Sequence, residues 1–126
     1  MERPGSQNTD WNGKGDVLSC HCASRPILRH LTGRWGILVM VVLQGGPHRF
    51  SALRRRIGGG SERMLAQTLQ QLEADGMIWR HAQDVVPPHV DYGLTPVGAE
   101  AAVRLLALVQ WLENALPVIT EGAQAA

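Results

Sequence analysis

Three glycine-rich breaks, Gly45-Gly46-Pro47, Gly58-Gly59-Gly60 and Gly76, govern what this chain can fold into. Neither a glycine pair followed by proline nor a run of three glycines continues a helix, so each break forces a change of element. The segments between the breaks are short, and their apolar residues stand three and four apart, the period of an amphipathic helix. Ile27, Leu28 and Leu31 begin one such pattern, which resumes with Trp35, Leu38, Val39 and Val42 after an interruption at Gly33. Phe50, Leu53 and Ile57 give a second stripe, and Arg54, Arg55 and Arg56 fan away from it. A third helix runs from Glu62 to Asp75, with Ser61 as its N-cap, Leu65, Leu69 and Leu72 on one face and Gly76 as its stop. Its opposite face carries Glu62, Arg63, Gln67, Gln70 and Gln71.

Beyond Gly76 the period changes. Met77 to His81 and His89 to Leu94 read as two short strands, the second alternating Val90, Tyr92 and Leu94 with Asp91 and Gly93. The intervening loop, Ala82 to Pro88, is too long for a tight hairpin and is stiffened by Pro87 and Pro88. Thr95 and Pro96 fit an N-cap followed by proline at the first helical position. The last helix is expected from Pro96 to about Leu116. Val97, Ala101, Leu105, Leu108 and Leu112 form one stripe, whereas Val103, Leu106, Val109 and Leu116 fall largely outside it. A helix apolar on more than one side must bury more than one side. In so small a domain the second side meets another subunit, which makes Leu105, Leu108, Val109, Leu112 and Leu116 the expected dimer interface. The fold class is therefore mainly α with a small β-hairpin wing (α+β), a winged helix-turn-helix with a C-terminal dimerisation helix. In that plan one helix lies in the DNA major groove while its predecessor and the wing hold the backbone.

The charge distribution agrees with a nucleic-acid partner, although the total conceals it. The chain has 126 residues, 44% of them apolar, and a formal charge of +1. Residues 25–63 carry eight arginines and one glutamate, a net +7, whereas residues 64–126 carry a net −5. Such asymmetry is a footprint of polyanion binding, with a solvated basic face as the plainer alternative. Other classes fall away. No stretch reaches about 18 uncharged apolar residues, so no membrane span is expected, and the polar N-terminus lacks the apolar core of a signal peptide. Two cysteines are too few for a disulfide scaffold, so the expected location is the cytoplasm. Residues 1–18 read as a disordered arm, 19–116 as the domain and 117–126 as a flexible tail.

The residues in order resemble the HxlR-type transcriptional regulators. The matching pieces are Cys22, Arg25, Gly33-Arg34-Trp35, Gly46-Pro47, Arg49-Phe50, Leu53-Arg54-Arg55-Arg56-Ile57, Ser61, Met64-Leu65 and Leu69. The series continues with Leu72-Glu73, Asp75-Gly76, Arg80, Val86-Pro87-Pro88, Val90-Asp91-Tyr92, Leu94-Thr95 and Gly98. The resemblance covers about residues 20 to 115. It implies a homodimeric regulator on a pseudo-palindromic double-stranded DNA operator, with the first and last helices forming the dimer, and a cysteine that senses an electrophile or oxidant. Three departures stand out. Gly60 replaces the usual aliphatic residue and loosens the turn before the recognition helix, and Ala23 replaces a proline. The wing segment Ala82 to His89 has Asp84 and no Arg or Lys, so it grips phosphate only if His81 or His89 contributes.

For base contact the candidates are Ser61, Glu62, Arg63, Ala66 and Gln67. An Arg fork suits guanine, Gln pairs with adenine, Ala meets a thymine methyl and a carboxylate accepts from cytosine. Arg49, Arg54, Arg55, Arg56 and His89 are the candidate backbone contacts, which position without specifying. Some of these arginines could instead cover apolar surface or pair with carboxylates. Cys22 and Cys20 flank His21 ahead of Arg25 and Arg29, and positive charge nearby favours the reactive thiolate. That supports a redox sensor, most directly at Cys22. The alternatives are inert packing cysteines with control by a small effector, or a winged-helix module that binds proteins. The scattered histidines and missing second ligand pair argue against metal, and no His with a carboxylate partner is placed to activate Cys22 as an enzyme nucleophile. No cofactor is expected. Trp35 and Trp79 read as core anchors, Tyr92 as a core strand residue and Trp111 as dimer packing.

Overall fold

The computed structural model describes residues 17–19 and 21–125. The expected N-terminal arm, apart from Val17 and Leu18, lies outside the described residues, as does Cys20. The element order is α1 (Ser24–Thr32), α2 (Gly36–Leu43), β1 (His48–Arg49), α3 (Phe50–Arg56), α4 (Glu62–Ala74), β2 (Ile78–Gln83), β3 (His89–Leu94) and α5 (Pro96–Ala125). This is a winged helix-turn-helix: five helices with a small antiparallel sheet.

The ends of α4 show how local chemistry fixes a helix. Ser61 caps it, its Oγ accepting the Met64 N–H at 3.0 Å, which satisfies one of the otherwise unpaired first-turn donors. At the other end Gly76 adopts φ +79°, a left-handed conformation natural to glycine. That turn lets Met77 N–H reach the Leu72 carbonyl and Gly76 N–H reach the Glu73 carbonyl, both at 3.0 Å, the paired bonds that close a helix C-terminus. Between the caps, Leu65, Thr68, Leu69 and Leu72 are buried. Thr68 is tolerated there because its hydroxyl donates to the Met64 carbonyl at 2.9 Å.

These residues meet Val39, Met40 and Leu43 of α2, Leu53 of α3, and Ile78 and Tyr92 of the sheet in one core. Full burial of a leucine-sized side chain contributes roughly 1.5–3 kcal/mol, so α4 is held chiefly by this face. Thr95 ties the next corner: its hydroxyl donates to the Gly76 carbonyl at 2.6 Å and accepts the Gly98 N–H at 3.0 Å. Gly98 permits that closeness, since a Cβ there would stand 1.8 Å from the Met77 carbonyl oxygen.

The structure departs from the sequence reading in four places. The sheet has three strands, ordered β1-β3-β2. The added strand pairs His48 with Tyr92 and Arg49 with Asp91, and at two residues it is too short to show an alternation. The second departure is at the wing, where β2 ends at Gln83 rather than His81. Trp79 is the third: it lies 36% exposed rather than in the core, its ring covering Gly93 so closely that a Cβ there would be 2.2 Å away. The fourth is α5, which continues through Pro117 to Ala125 instead of giving way to a flexible tail after Leu116. A helix-internal proline removes one main-chain bond and adds strain, which can bend a helix without ending it.

By length and composition α5 is also apolar enough to cross a membrane, with mean hydropathy 1.3 over Pro96–Gly122. Its first half instead places Ala101, Ala102 and Leu105 against the core. Its second half exposes Leu108, Trp111, Leu112, Leu116, Val118 and Ile119.

Candidate nucleic-acid interface

The glycine turn before Ser61 and the caps of α4 present the start of that helix to solvent beside α3. Ser61, Glu62, Arg63 and Gln67 are exposed and Ala66 is half-buried, so the five candidate base-contact residues lie at the open end of α4. Gln70 continues the same polar side and is exposed. From α3, Arg54, Arg55 and Arg56 all project outward, because Leu53 and Ile57 take the buried positions.

Two of these residues are already in contact. Arg54 Nη1 donates to Glu62 Oε2 at 3.3 Å, with the side chains 53% and 66% exposed. An ion pair this exposed is worth about 0–1 kcal/mol. It orients Arg54 and subtracts one negative charge from the helix start, yet it is weak enough to be exchanged for a phosphate. Phe50, Ser51, Arg54, Arg55 and Glu62 line an open groove of about 410 Å³ between α3 and α4. Arg49, Phe50, Ser51, His89, Val90 and Tyr92 line another of about 360 Å³ between α3 and the wing. Arg49 and His89, forty residues apart in sequence, thus share one surface because β1 pairs with β3. Ser51 belongs to both grooves. The sequence reading passed over it, and its place inside the arginine run was the only signal available.

Gly60 also reads differently in three dimensions. The Trp35 ring lies where its side chain would be, 3.1–3.3 Å from a Cβ built there. Arg34 stacks its guanidinium 4.8 Å from the Trp35 ring centroid, a cation–π contact. The turn before α4 is therefore backed by an aromatic ring rather than left loose.

At the other end of the domain, Cys22 precedes α1 and is half-buried. Its Sγ lies 2.7 Å from Ser24 Oγ. Arg25 Nη1 donates to the Leu18 carbonyl at 3.2 Å, fastening the preceding turn to α1. Further along α1, His30 Nδ1 meets Asp75 Oδ2 at 2.6 Å. This contact joins the helix that follows Cys22 to the C-cap of α4 and spans 45 residues of sequence, so no local pattern signals it. Among the described residues no group of three or more His, Cys, Asp or Glu could hold a metal ion.

Comparison with known proteins places this geometry in a family. The HxlR-like helix-turn-helix family model matches residues 30–120. The chain is 52% identical over 106 residues to the HTH-type transcriptional regulator YtfH of Escherichia coli strain K12, itself uncharacterized, covering 84% of each protein. Among solved structures it is similar to ytfH from Salmonella typhimurium, with TM-score 0.84 and 48% identity over 88% of this chain and 99% of that one. It is also similar to the redox regulator HypR in its reduced form, with TM-score 0.71 and 31% identity over 78% of this chain and 97% of that one. The family's members are transcriptional regulators rather than enzymes. On its fold and its sequence, this chain belongs to the HxlR-like helix-turn-helix family of DNA-binding transcriptional regulators.

Proposed function

We propose that the protein is a cytoplasmic, homodimeric repressor that binds a specific operator and is released by oxidation or electrophile modification of Cys22. The observation that carries the DNA reading is the exposed start of α4, where Arg63 and Gln67 stand beside the Arg54–Arg56 fan. In this reading Ser61, Arg63, Ala66 and Gln67 face base edges, and Glu62 also holds Arg54. Arg49, Arg54, Arg55, Arg56 and His89 hold the backbone. The exposed apolar side of α5 supports the dimer, with Leu108, Leu112 and Leu116 facing the second copy and the half-buried Val109 beside them, whereas Leu105 packs against the protomer's own core rather than the interface expected for it. The domain extends over residues 19–116, with α5 lengthening the dimer helix beyond it.

Control at Cys22 draws support from the thiol's place at the start of α1 and from the His30–Asp75 link to α4. HypR, a redox regulator, has been solved in reduced and oxidised forms. A change at Cys22 would move α1 and with it the end of the recognition helix, altering the spacing of two such helices on an operator. A second reading, control by a small effector, is favoured by an open cavity of about 470 Å³ lined by Val17, Leu18, Arg25, Leu28, Arg29 and Thr32.

Footprinting beside the gene under reducing and oxidising conditions tests the whole reading. Protection of one discrete site, lost on oxidation in wild type and retained in Cys22→Ser, is the expected result. If wild type and Cys22→Ser respond alike, control at Cys22 is wrong. Operator affinity should fall with salt by about 0.9 log units per log unit for each phosphate neutralised. Arg54→Ala with Arg55→Ala should flatten that slope and weaken all sequences alike, and an unchanged slope removes both from the interface.

A further inference from the structure

The two grooves flanking α3 meet at Phe50 and Ser51, which line both. Together they form a continuous track from the start of α4, past Arg54, Arg55 and Ser51, to Arg49 and His89 at the root of the wing. Its composition changes along its length. The α3 end carries permanent guanidinium charge, whereas residues 81–94 contain no Arg or Lys at all. At the wing end Arg49 supplies one fixed charge, and the other cationic group is an imidazole.

That imidazole stands in a particular setting. His89 Nε2 is 4.0 Å from Asp91 Oδ1 on its own strand, with the two side chains only 28% and 24% exposed. From β2, Gln83 Nε2 donates to Asp91 Oδ2 at 2.6 Å, and His81 is the residue paired across from Asp91. From β1, Arg49 is paired with Asp91. From α3, Ser51 faces the same groove. At 4.0 Å the pair is too far apart for a hydrogen bond, so Asp91 acts on the ring through its charge. A phosphate in the groove would put a second anion beside the ring, and imidazolium, with a positive charge and two N–H donors, is attracted by both where the neutral ring is not.

Resting on the reading that this surface binds duplex DNA, we propose that His89, with Arg49 and Ser51, forms a phosphate seat at the wing root that grips DNA more tightly when His89 is protonated. Histidine side chains ordinarily change charge between pH 5 and 8. Duplex binding therefore takes up a proton at the wing of each protomer, and affinity falls as pH rises through that range. Family relatives with a fixed cation in the wing would lack this dependence.

The test measures operator affinity and its salt slope at pH 6 and pH 8 for the full-length wild type, His89→Gln and His89→Lys. In the wild type, raising the pH should weaken binding and flatten the salt slope by about 0.9 for each wing that loses its charge. His89→Gln should show the shallower slope at both values of pH. His89→Lys should keep the steep slope at both. If His89→Gln retains the wild-type pH dependence, the dependence arises elsewhere, for example at His30 or His81, and the proposal is overturned. Specific binding with no pH dependence in the wild type also overturns it, while leaving the DNA-binding reading intact. Absence of specific binding at either pH overturns that reading itself.

Discussion

Helices α4 and α5 make opposite use of their outward faces. In α4 every buried position is taken by the protomer's own core, and the outward side is polar: Glu62, Arg63, Gln67 and Gln70 are exposed. In α5 the protomer's core uses little of the apolar surface. Ala102 is fully buried, yet Leu108, Trp111, Leu112 and Leu116 remain 46–59% exposed. A polar outward side beside the α3 arginines fits a hydrated polyanion, whereas an apolar one fits another protein surface. The same domain thus offers two surfaces of different chemistry on two different helices, and they can be broken separately.

The largest effect should come from α5. If the proposed dimer forms through this face, Leu108→Glu with Leu112→Glu adds four buried charges to a two-fold interface while removing little from the protomer's own core. Given roughly 1.5–3 kcal/mol for each fully buried leucine, the dimer should dissociate and operator affinity fall about a hundredfold or more. Sedimentation equilibrium should show monomer with an unchanged far-ultraviolet spectrum. A variant that stays dimeric would place the second copy on another face.

The matching change in α4 should act within the protomer. Leu69 is 1% exposed, so Leu69→Ala should lower unfolding stability by about 2–5 kcal/mol, read by urea denaturation at fixed protein concentration. The proposed dimer contact on α5 should stay intact. On the outward side of the same helix, Arg63→Ala should cost about 1–3 kcal/mol of binding at particular base pairs and leave stability unchanged within about 0.5 kcal/mol. A uniform loss over all sequences would move Arg63 from base edge to backbone.

The contrast between the helices also explains what could be read from the chain alone. The start, stop and facing of α4 are written locally, in Ser61, the leucine spacing and Gly76, so they were legible. The excess apolar surface of α5 was legible for the same reason. Features that depend on distant segments were not. Strand β1 exists because His48 and Arg49 meet Tyr92 and Asp91, and two residues carry no period. His30 and Asp75 are 45 positions apart. Trp35 fills the space at Gly60 from another helix, so a glycine that reads as slack is in fact a packing site. The end of α5 differs in the other direction: expected near Leu116, the helix continues through Pro117 to Ala125. The exposed side of α4 that carries the candidate base contacts follows from that helix's local pattern, whereas the joining of Arg49, Ser51 and His89 into one groove depends on the tertiary fold.

The smallest effect separates two roles that meet at Ser61. Its hydroxyl oxygen accepts the Met64 N–H, yet the residue also stands at the open end of α4 with the expected base contacts. Ser61→Ala removes the cap and should lower stability by about 1 kcal/mol, whereas Ser61→Gly should lower it by only a few tenths. Ser61→Asp keeps a capping oxygen and adds a negative charge, which the helix N-terminus favours but a phosphate backbone does not. If Ser61 only caps, operator affinity at a temperature well below unfolding should be nearly the same for Ala and Gly, and reduced for Asp alone. If its hydroxyl also reaches DNA, Ala and Gly should both weaken binding by a similar factor despite their different stabilities. Thermal melts and operator titrations on the three variants therefore distinguish a residue that shapes the polar end of α4 from one that reads with it.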